Sequence, residues 1–137
     1  MILEKVIWSQ VNEIEEERSK NLLEPLDYVN SMKILLKSLE EYEDDQIIQT
    51  VAVIFNVDPD TLRSFICLSL IRIIDLRRYL ACKELKDTKC FASQALRHKI
   101  IGKQYGFSPA TVRRFYERYP NYFKCPNTVS LYEFFNK

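Results

Sequence analysis

The sequence predicts an all-α protein, folded as a multi-helix bundle. Two observations favour this class over a strand-rich one. The 137 residues include only two glycines and five prolines, too few for the many turns of a β fold. Apolar residues also recur at helical spacing, as in the set Leu26, Val29, Met32, Leu36 and Leu39. Because 47% of the chain is apolar, there is ample material for a buried core.

The N-terminal third predicts two amphipathic helices. The first covers residues 2–18 and ends in an acidic run that favours a solvated face. The second spans residues 25–43 and begins at Pro25, because proline suits the first turn of a helix. The acidic segment 40–45 then predicts a short hinge.

Both glycines of the chain lie in the stretch 99–116, which predicts two short helices joined by a tight corner. Two helices that meet at a steep angle need a small residue where their axes cross, and Gly102 is predicted to be that residue. Gly106 supplies the positive φ that the corner needs, since glycine adopts it without steric cost. Ser108 is predicted to cap the second helix, and Pro109 to be its first residue.

An earlier stretch, residues 51–65, repeats this pattern at an offset of 50 residues. Ala52 takes the crossing position, again with a small side chain. Asn56 takes the corner, because asparagine is the next best residue for a left-handed conformation. Asp58 and Pro59 take the cap and first helical positions.

Both stretches resemble the helix-turn-helix superfamily of DNA-binding proteins, over about 20 residues each. A predicted linker at 83–89 divides the chain into an N-terminal helical lobe over 1–86, with a first unit at 51–65, and a basic C-terminal lobe over 87–137. The resemblance implies double-stranded DNA as the partner, read in the major groove by a helix at 108–118. Transcription regulators and mobile-element accessory factors are among the proteins with this motif.

The charge distribution favours the second unit as the one that meets DNA. Residues 1–60 carry 5 Lys/Arg and 14 Asp/Glu, whereas residues 61–137 carry 15 and 5. Such asymmetry is typical of nucleic-acid binding by the basic half, although packing of the acidic half on the basic one is the alternative. Asp58 and Asp60 would repel a polyanion, so the first unit is interpreted as structural or partner-binding.

The second unit supplies the candidate DNA contacts, which divide by role. They are Ser108, Ala110, Thr111 and Arg114 towards the groove, Arg113 and Arg118 towards bases or backbone, and Lys99, Lys103 and Gln104 towards phosphates. The alternative interpretation is an ordinary helical corner in a bundle, with the arginines forming only a solvated face.

The remaining segments predict a long middle helix and an ambiguous C-terminus. A helix over 59–86 would be about 42 Å long, so we expect either a break near Ser69 or Asp75 or a shaft that joins two lobes. The apolar run 65–74 predicts burial on more than one side, and residues 83–89 predict a linker, with Asp87 or Thr88 capping the next helix.

Residues 119–137 allow either a hairpin wing or a final helix. A wing would turn at Pro126–Asn127, whereas a helix would be capped by Asn127 or Thr128. The helix is favoured because Leu131, Phe134 and Phe135 fit helical spacing.

Catalysis has little support in the sequence. There is one histidine, with no glycine-rich phosphate loop and no nucleophile elbow, so we expect neither an enzyme nor a cofactor. The cysteines Cys67, Cys82, Cys90 and Cys125 lack metal-site spacing, so we expect no metal and mostly buried, reduced thiols. No leader and no membrane span is recognisable, so the predicted location is cytoplasmic.

A helical adaptor for protein–protein interaction is the main rival to a DNA-binding protein. In that case the amphipathic helices within 1–43 would dock on a partner and the two corner units would be structural. The same helices are also predicted to form a homodimer, because paired half-sites multiply DNA affinity.

Overall fold

The computed structural model describes residues 6–88, 93–124 and 130–136, and within these ranges the chain is helical without strands. The all-α prediction is therefore confirmed. The helices are α1 (Val6–Ser19), α2 (Pro25–Ser38), α3 (Asp44–Phe55), α4 (Pro59–Cys67), α5 (Ile73–Asp87), α6 (Gln94–Tyr105), α7 (Pro109–Arg113), α8 (Phe115–Arg118) and α9 (Leu131–Phe135), with a 3₁₀ turn at Pro120–Phe123.

Helix α5 forms the centre of the molecule. It packs against α3, α6 and the 3₁₀ turn, while α1 and α2 pack on each other. Leu76, Tyr79 and Leu80 of α5 are almost fully buried. A single cluster of buried side chains draws residues from both predicted lobes, 1–86 and 87–137, which therefore share one core. The lobe boundary itself stays a prediction.

Both corners adopt the left-handed conformation that their residues predict. Asn56 has a φ of 54° and Gly106 a φ of 84°. In each corner, the N–H of the residue after the left-handed one donates to a carbonyl in the last turn of the preceding helix. Val57 donates to the carbonyl of Ala52 at 2.9 Å, and the corresponding bond of the second corner measures 2.8 Å. These bonds satisfy helix-end carbonyls that would otherwise lack a partner.

Arg77 of α5 links the start of α3 to the end of α6. Its guanidinium donates to the carbonyl of Tyr42 and to the carboxylate of Asp44, each at 2.7 Å. It also lies 3.5 Å from the carbonyl of Tyr105 at the end of α6. Since Tyr42 donates its own N–H to the carbonyl of Gln104 at 2.8 Å, segment 39–43 is fastened between α3 and α6.

Three predicted boundaries are wrong. Helix α2 ends at Ser38 rather than at residue 43, because segment 39–43 is extended along α6. The predicted linker 83–89 is helical through Asp87, where Lys83 and Asp87 pair at 2.8 Å. The cap of α6 is Ser93 rather than Asp87 or Thr88.

The predicted break near Ser69 is confirmed, since Ser69 has a φ of 60° between α4 and α5. The prediction that the run 65–74 is buried on more than one side is wrong, because Leu68, Leu70 and Ile74 are 68%, 39% and 41% exposed. The final helix is confirmed by α9, whose N-terminal cap is Ser130. The candidate caps and wing residues Pro126, Asn127 and Thr128 lie outside the described ranges.

The thiols follow their prediction only in part. Cys82 is buried, which raises the pKa of its thiol to about 12, but Cys67 is exposed. Cys90 and Cys125 lie outside the residues that the structure describes. None of the helices in 6–88, 93–124 and 130–136 combines the length and apolarity needed to cross a bilayer.

Candidate nucleic-acid interface

The corner of the second unit requires glycine at Gly102 on steric grounds. A Cβ atom there would lie 2.4 Å from the carbonyl oxygen of Phe107, far inside van der Waals contact. The Gly102 carbonyl accepts N–H bonds from Gly106 and Phe107, both at 2.8 Å. The chain thus folds directly over Gly102, which fixes the angle at which α7 leaves α6.

Ser108 caps α7 as predicted. Its hydroxyl oxygen accepts the N–H of Thr111 at 3.2 Å and lies 2.8 Å from the Thr111 hydroxyl, and Pro109 is the first helical residue. Val112 is fully buried beneath this helix. Capping and burial together hold α7 against α6 with its other face in solvent.

The helix predicted over 108–118 is interrupted at Arg114, which separates α7 from α8. The N–H of Arg114 bonds to the carbonyl of Thr111 at 3.1 Å, three residues back. Such a tight turn brings residues three apart into line. Val112 and Phe115 are both buried, so this turn explains how the core retains both side chains.

The arginines of α7 and α8 are exposed and uncommitted. Within the described part of the chain, Arg113, Arg114 and Arg118 make no ion pair and no side-chain hydrogen bond, and Lys99 of α6 is also exposed. We call these four residues the cationic surface.

Four of the other five arginines in the basic half pair with aspartates. The pairs are Arg63 with Asp45 and Asp60, Arg77 with Asp44, and Arg72 and Arg78 with Asp75. Packing of acidic on basic groups therefore occurs, but it leaves the cationic surface free.

Gln104 does not belong to this surface, which corrects the prediction. It is only 4% exposed, and its amide nitrogen donates to the Tyr42 hydroxyl at 3.0 Å. Lys103 is exposed, but its ammonium group donates to the carbonyl of Leu36 at the end of α2. Both side chains therefore serve the packing of segment 36–42 on α6.

The smaller predicted groove residues are accessible. Ser108, Ala110 and Thr111 are all exposed, although the hydroxyls of Ser108 and Thr111 already bond to each other. Their small side chains leave the backbone of α7 open to close approach.

Two further residues near the cationic surface were missed by sequence reasoning. Glu117 is an exposed carboxylate three positions after Arg114, and it opposes the approach of a polyanion. Tyr116 stacks on Phe123 with ring centroids 4.4 Å apart, and both line an open groove with Lys86. Glu117 was visible in the sequence, whereas the stacking depends on the 3₁₀ turn.

His98 lies beneath this region on α6. It is 9% exposed, and burial is the main cause that lowers the pKa of its imidazole. The positive charges of Arg97 and Arg113 lower this pKa further. His98 is therefore held uncharged at neutral pH, close to the base of the cationic surface.

The first unit presents acidic groups at the equivalent place. Asp58 caps α4 by accepting the N–H of Asp60 at 2.8 Å. The guanidinium of Arg63 is shared by Asp45 and by Asp60, the latter at 2.7 Å. Arg63, the one arginine of the first unit, therefore pairs with two aspartates.

No protein-family model matches the sequence, and neither the curated proteins nor the solved structures contain a match.

Proposed function

We propose that the protein binds double-stranded DNA through the cationic surface, with α7 directed towards the major groove, as a transcription regulator or mobile-element accessory factor. The observation that carries this proposal is the free state of Arg113, Arg114 and Arg118 in a chain whose other arginines are frequently paired. Contacts between cations and phosphates supply most of the affinity of non-specific DNA binding.

The shape of the second unit also supports DNA as the partner. Gly102 and Gly106 fix α7 at a set angle, and only small or polar residues occupy its exposed side. Readout of bases depends on a helix that can approach base edges while neighbouring cations hold phosphates.

Binding to a labelled random-sequence duplex in a mobility-shift assay tests the proposal. The wild type should bind at low salt, and the double variant Arg113→Ala/Arg114→Ala should bind far more weakly while its circular dichroism is unchanged. Arg63→Ala is the matched control, because it removes an arginine that aspartates already neutralise. A wild type that fails to bind at low salt would overturn the proposal.

Pairing through the N-terminal helices is the second candidate. Leu22 and Leu26 are 70% and 69% exposed, and Val29 is 43% exposed, so the first half of the predicted apolar stripe is uncovered. Met32, by contrast, is buried. We propose that this uncovered stretch joins two copies of the chain in a dimer. A two-fold axis would then relate the DNA-binding unit of one copy to that of the other.

Light scattering after size exclusion tests the dimer. The wild type should have the mass of two chains at micromolar concentration, and Leu26→Glu should have the mass of one. A monomeric wild type rejects the dimer. If the protein is an adaptor and α2 docks on a different protein, Leu26→Glu should no longer bind that partner. The double variant Arg113→Ala/Arg114→Ala should still bind it.

A further inference from the structure

A cavity of about 390 Å³ lies between the start of α5, the end of α8 and α9. Three arginines line it: Arg72, Arg78 and Arg118. Asp75 is the carboxylate among the lining residues, so the positive charges exceed the negative ones. The lining comes from three separate parts of the chain, which is why no local motif marks it.

Asp75 holds two of these arginines in place. Its carboxylate accepts from the Nε of Arg72 at 3.0 Å and from a terminal nitrogen of Arg78 at 2.7 Å. The guanidinium of Arg78 also lies over the ring of Tyr119, at 4.3 Å from the ring centroid. Two guanidinium groups are thereby oriented in advance, which lowers the entropic cost of binding an anion.

The arrangement leaves hydrogen-bond donors unused. The Nε of Arg78 is buried and has no partner among the residues that the structure describes. Arg118, which also lines the cavity, makes neither an ion pair nor a side-chain hydrogen bond in the same part of the chain. The donors that a ligand in the cavity can reach are therefore those of exposed Arg118, whereas the Arg78 Nε is shielded from solvent.

One edge of the cavity is held by two hydrogen bonds from Asn136. The side-chain amide of Asn136 donates to the carbonyls of Leu70 and Tyr132, each at 2.9 Å. This contact joins the end of α9 to the turn before α5. Two of the chain segments that line the cavity are therefore bonded to each other.

We infer that this cavity binds a phosphate monoester. Arginine forks match the oxygens of phosphate in pairs, and a dianion balances the charge of three arginines and one aspartate. The volume suits a small phosphorylated molecule. The phosphate comes either from a free small molecule or from the phosphorylated 5′ end of a nucleic-acid strand. The cavity shares Arg118 with the cationic surface, but it does not rest on the proposed DNA-binding function, because Arg72 and Arg78 lie outside that surface.

Calorimetry and amide NMR in phosphate-free buffer of constant ionic strength test this site. The probes are inorganic phosphate, ribose 5-phosphate with ribose as its control, and a short oligonucleotide with and without a 5′-phosphate. Inorganic phosphate should bind saturably, with a dissociation constant of about 1 mM or tighter. The amide signals of Tyr119 and Asn121 should shift.

Variants separate the cavity from general positive charge. Arg72→Gln and Arg118→Gln should each weaken phosphate binding about fivefold to tenfold. The matched control Arg63→Gln should leave it unchanged, because Arg63 lies outside the cavity. Both cavity arginines are exposed, so these variants should keep the wild-type circular dichroism spectrum.

The outcomes are distinct. Tighter binding of ribose 5-phosphate than of phosphate supports a small-molecule source, and preference for the 5′-phosphorylated oligonucleotide supports a strand end. No saturable binding of phosphate, or equal weakening by Arg63→Gln, overturns the site. If the wild type binds phosphate but does not bind the random-sequence duplex at low salt, only the proposed DNA-binding function is refuted.

Discussion

Replacing Arg113 and Arg114 with alanine should halve the salt dependence of DNA binding. The free cations of the interface are Lys99, Arg113, Arg114 and Arg118, because Lys103 is committed to the carbonyl of Leu36. Each phosphate that a cation neutralises contributes about −0.9 to the slope of log affinity against log salt. Four contacts therefore predict a slope of about −3.6.

The slope converts into a measurable change in affinity. Raising the salt from about 50 to about 200 mM should weaken wild-type binding by about 150-fold. The double variant keeps two contacts and a slope of about −1.8, so the same change should weaken it only about 12-fold. Fluorescence anisotropy of a labelled duplex at several salt concentrations measures both slopes.

The control and the refuting result are equally specific. Arg63→Ala should keep the wild-type slope, since Asp45 and Asp60 already neutralise this arginine. A double variant that retains the wild-type slope would show that α7 and α8 do not contact the phosphates. Equal effects of Arg63→Ala would assign the binding to overall charge.

Three further predictions concern stability, pH and charge. Gly102→Ala should lower the free energy of unfolding in urea by about 1–3 kcal/mol, because its Cβ would lie 2.4 Å from the carbonyl oxygen of Phe107. Acidification from about pH 7 to about pH 5 should destabilise the protein, because His98 has a lowered pKa when folded and takes up a proton near pH 6.5 only when unfolded. Glu117→Gln should tighten binding to a random duplex by about twofold to fivefold at low salt, because it removes an exposed carboxylate beside Arg114.

Each of these predictions has its own control. Lys99→Ala, on the same helix as Gly102, should change stability by less than about 0.5 kcal/mol. His98→Gln should flatten the pH dependence, and a pH profile identical to the wild type would contradict the role of His98. Glu40→Gln should leave DNA affinity unchanged, and weaker binding by Glu117→Gln would mean that its carboxylate supports the interface.

Features that depend on neighbouring residues could be predicted from the sequence. The left-handed corners at Asn56 and Gly106 each follow from one residue type, and the Ser108 cap follows from a hydroxyl before a helix. The close approach at Gly102 was predictable for the same reason, since its partner Phe107 is five residues away.

Features that depend on distant parts of the chain could not be predicted from the sequence. Gln104 looks like a polar surface residue, but Tyr42, 62 positions earlier, covers it. The interruption at Arg114 lies between Val112 and Phe115, two side chains whose burial depends on the rest of the core. The cavity between Arg72 and Arg118 forms only when α5 and α8 are assembled.

The most direct test of the central claim is an amide NMR titration of the full chain with a short duplex. Signals from residues 106–118 should shift progressively, and signals from the acidic first unit at 58–67 should remain in place. Shifts confined to 58–67, or no shifts at all at low salt, would contradict DNA binding by the second unit.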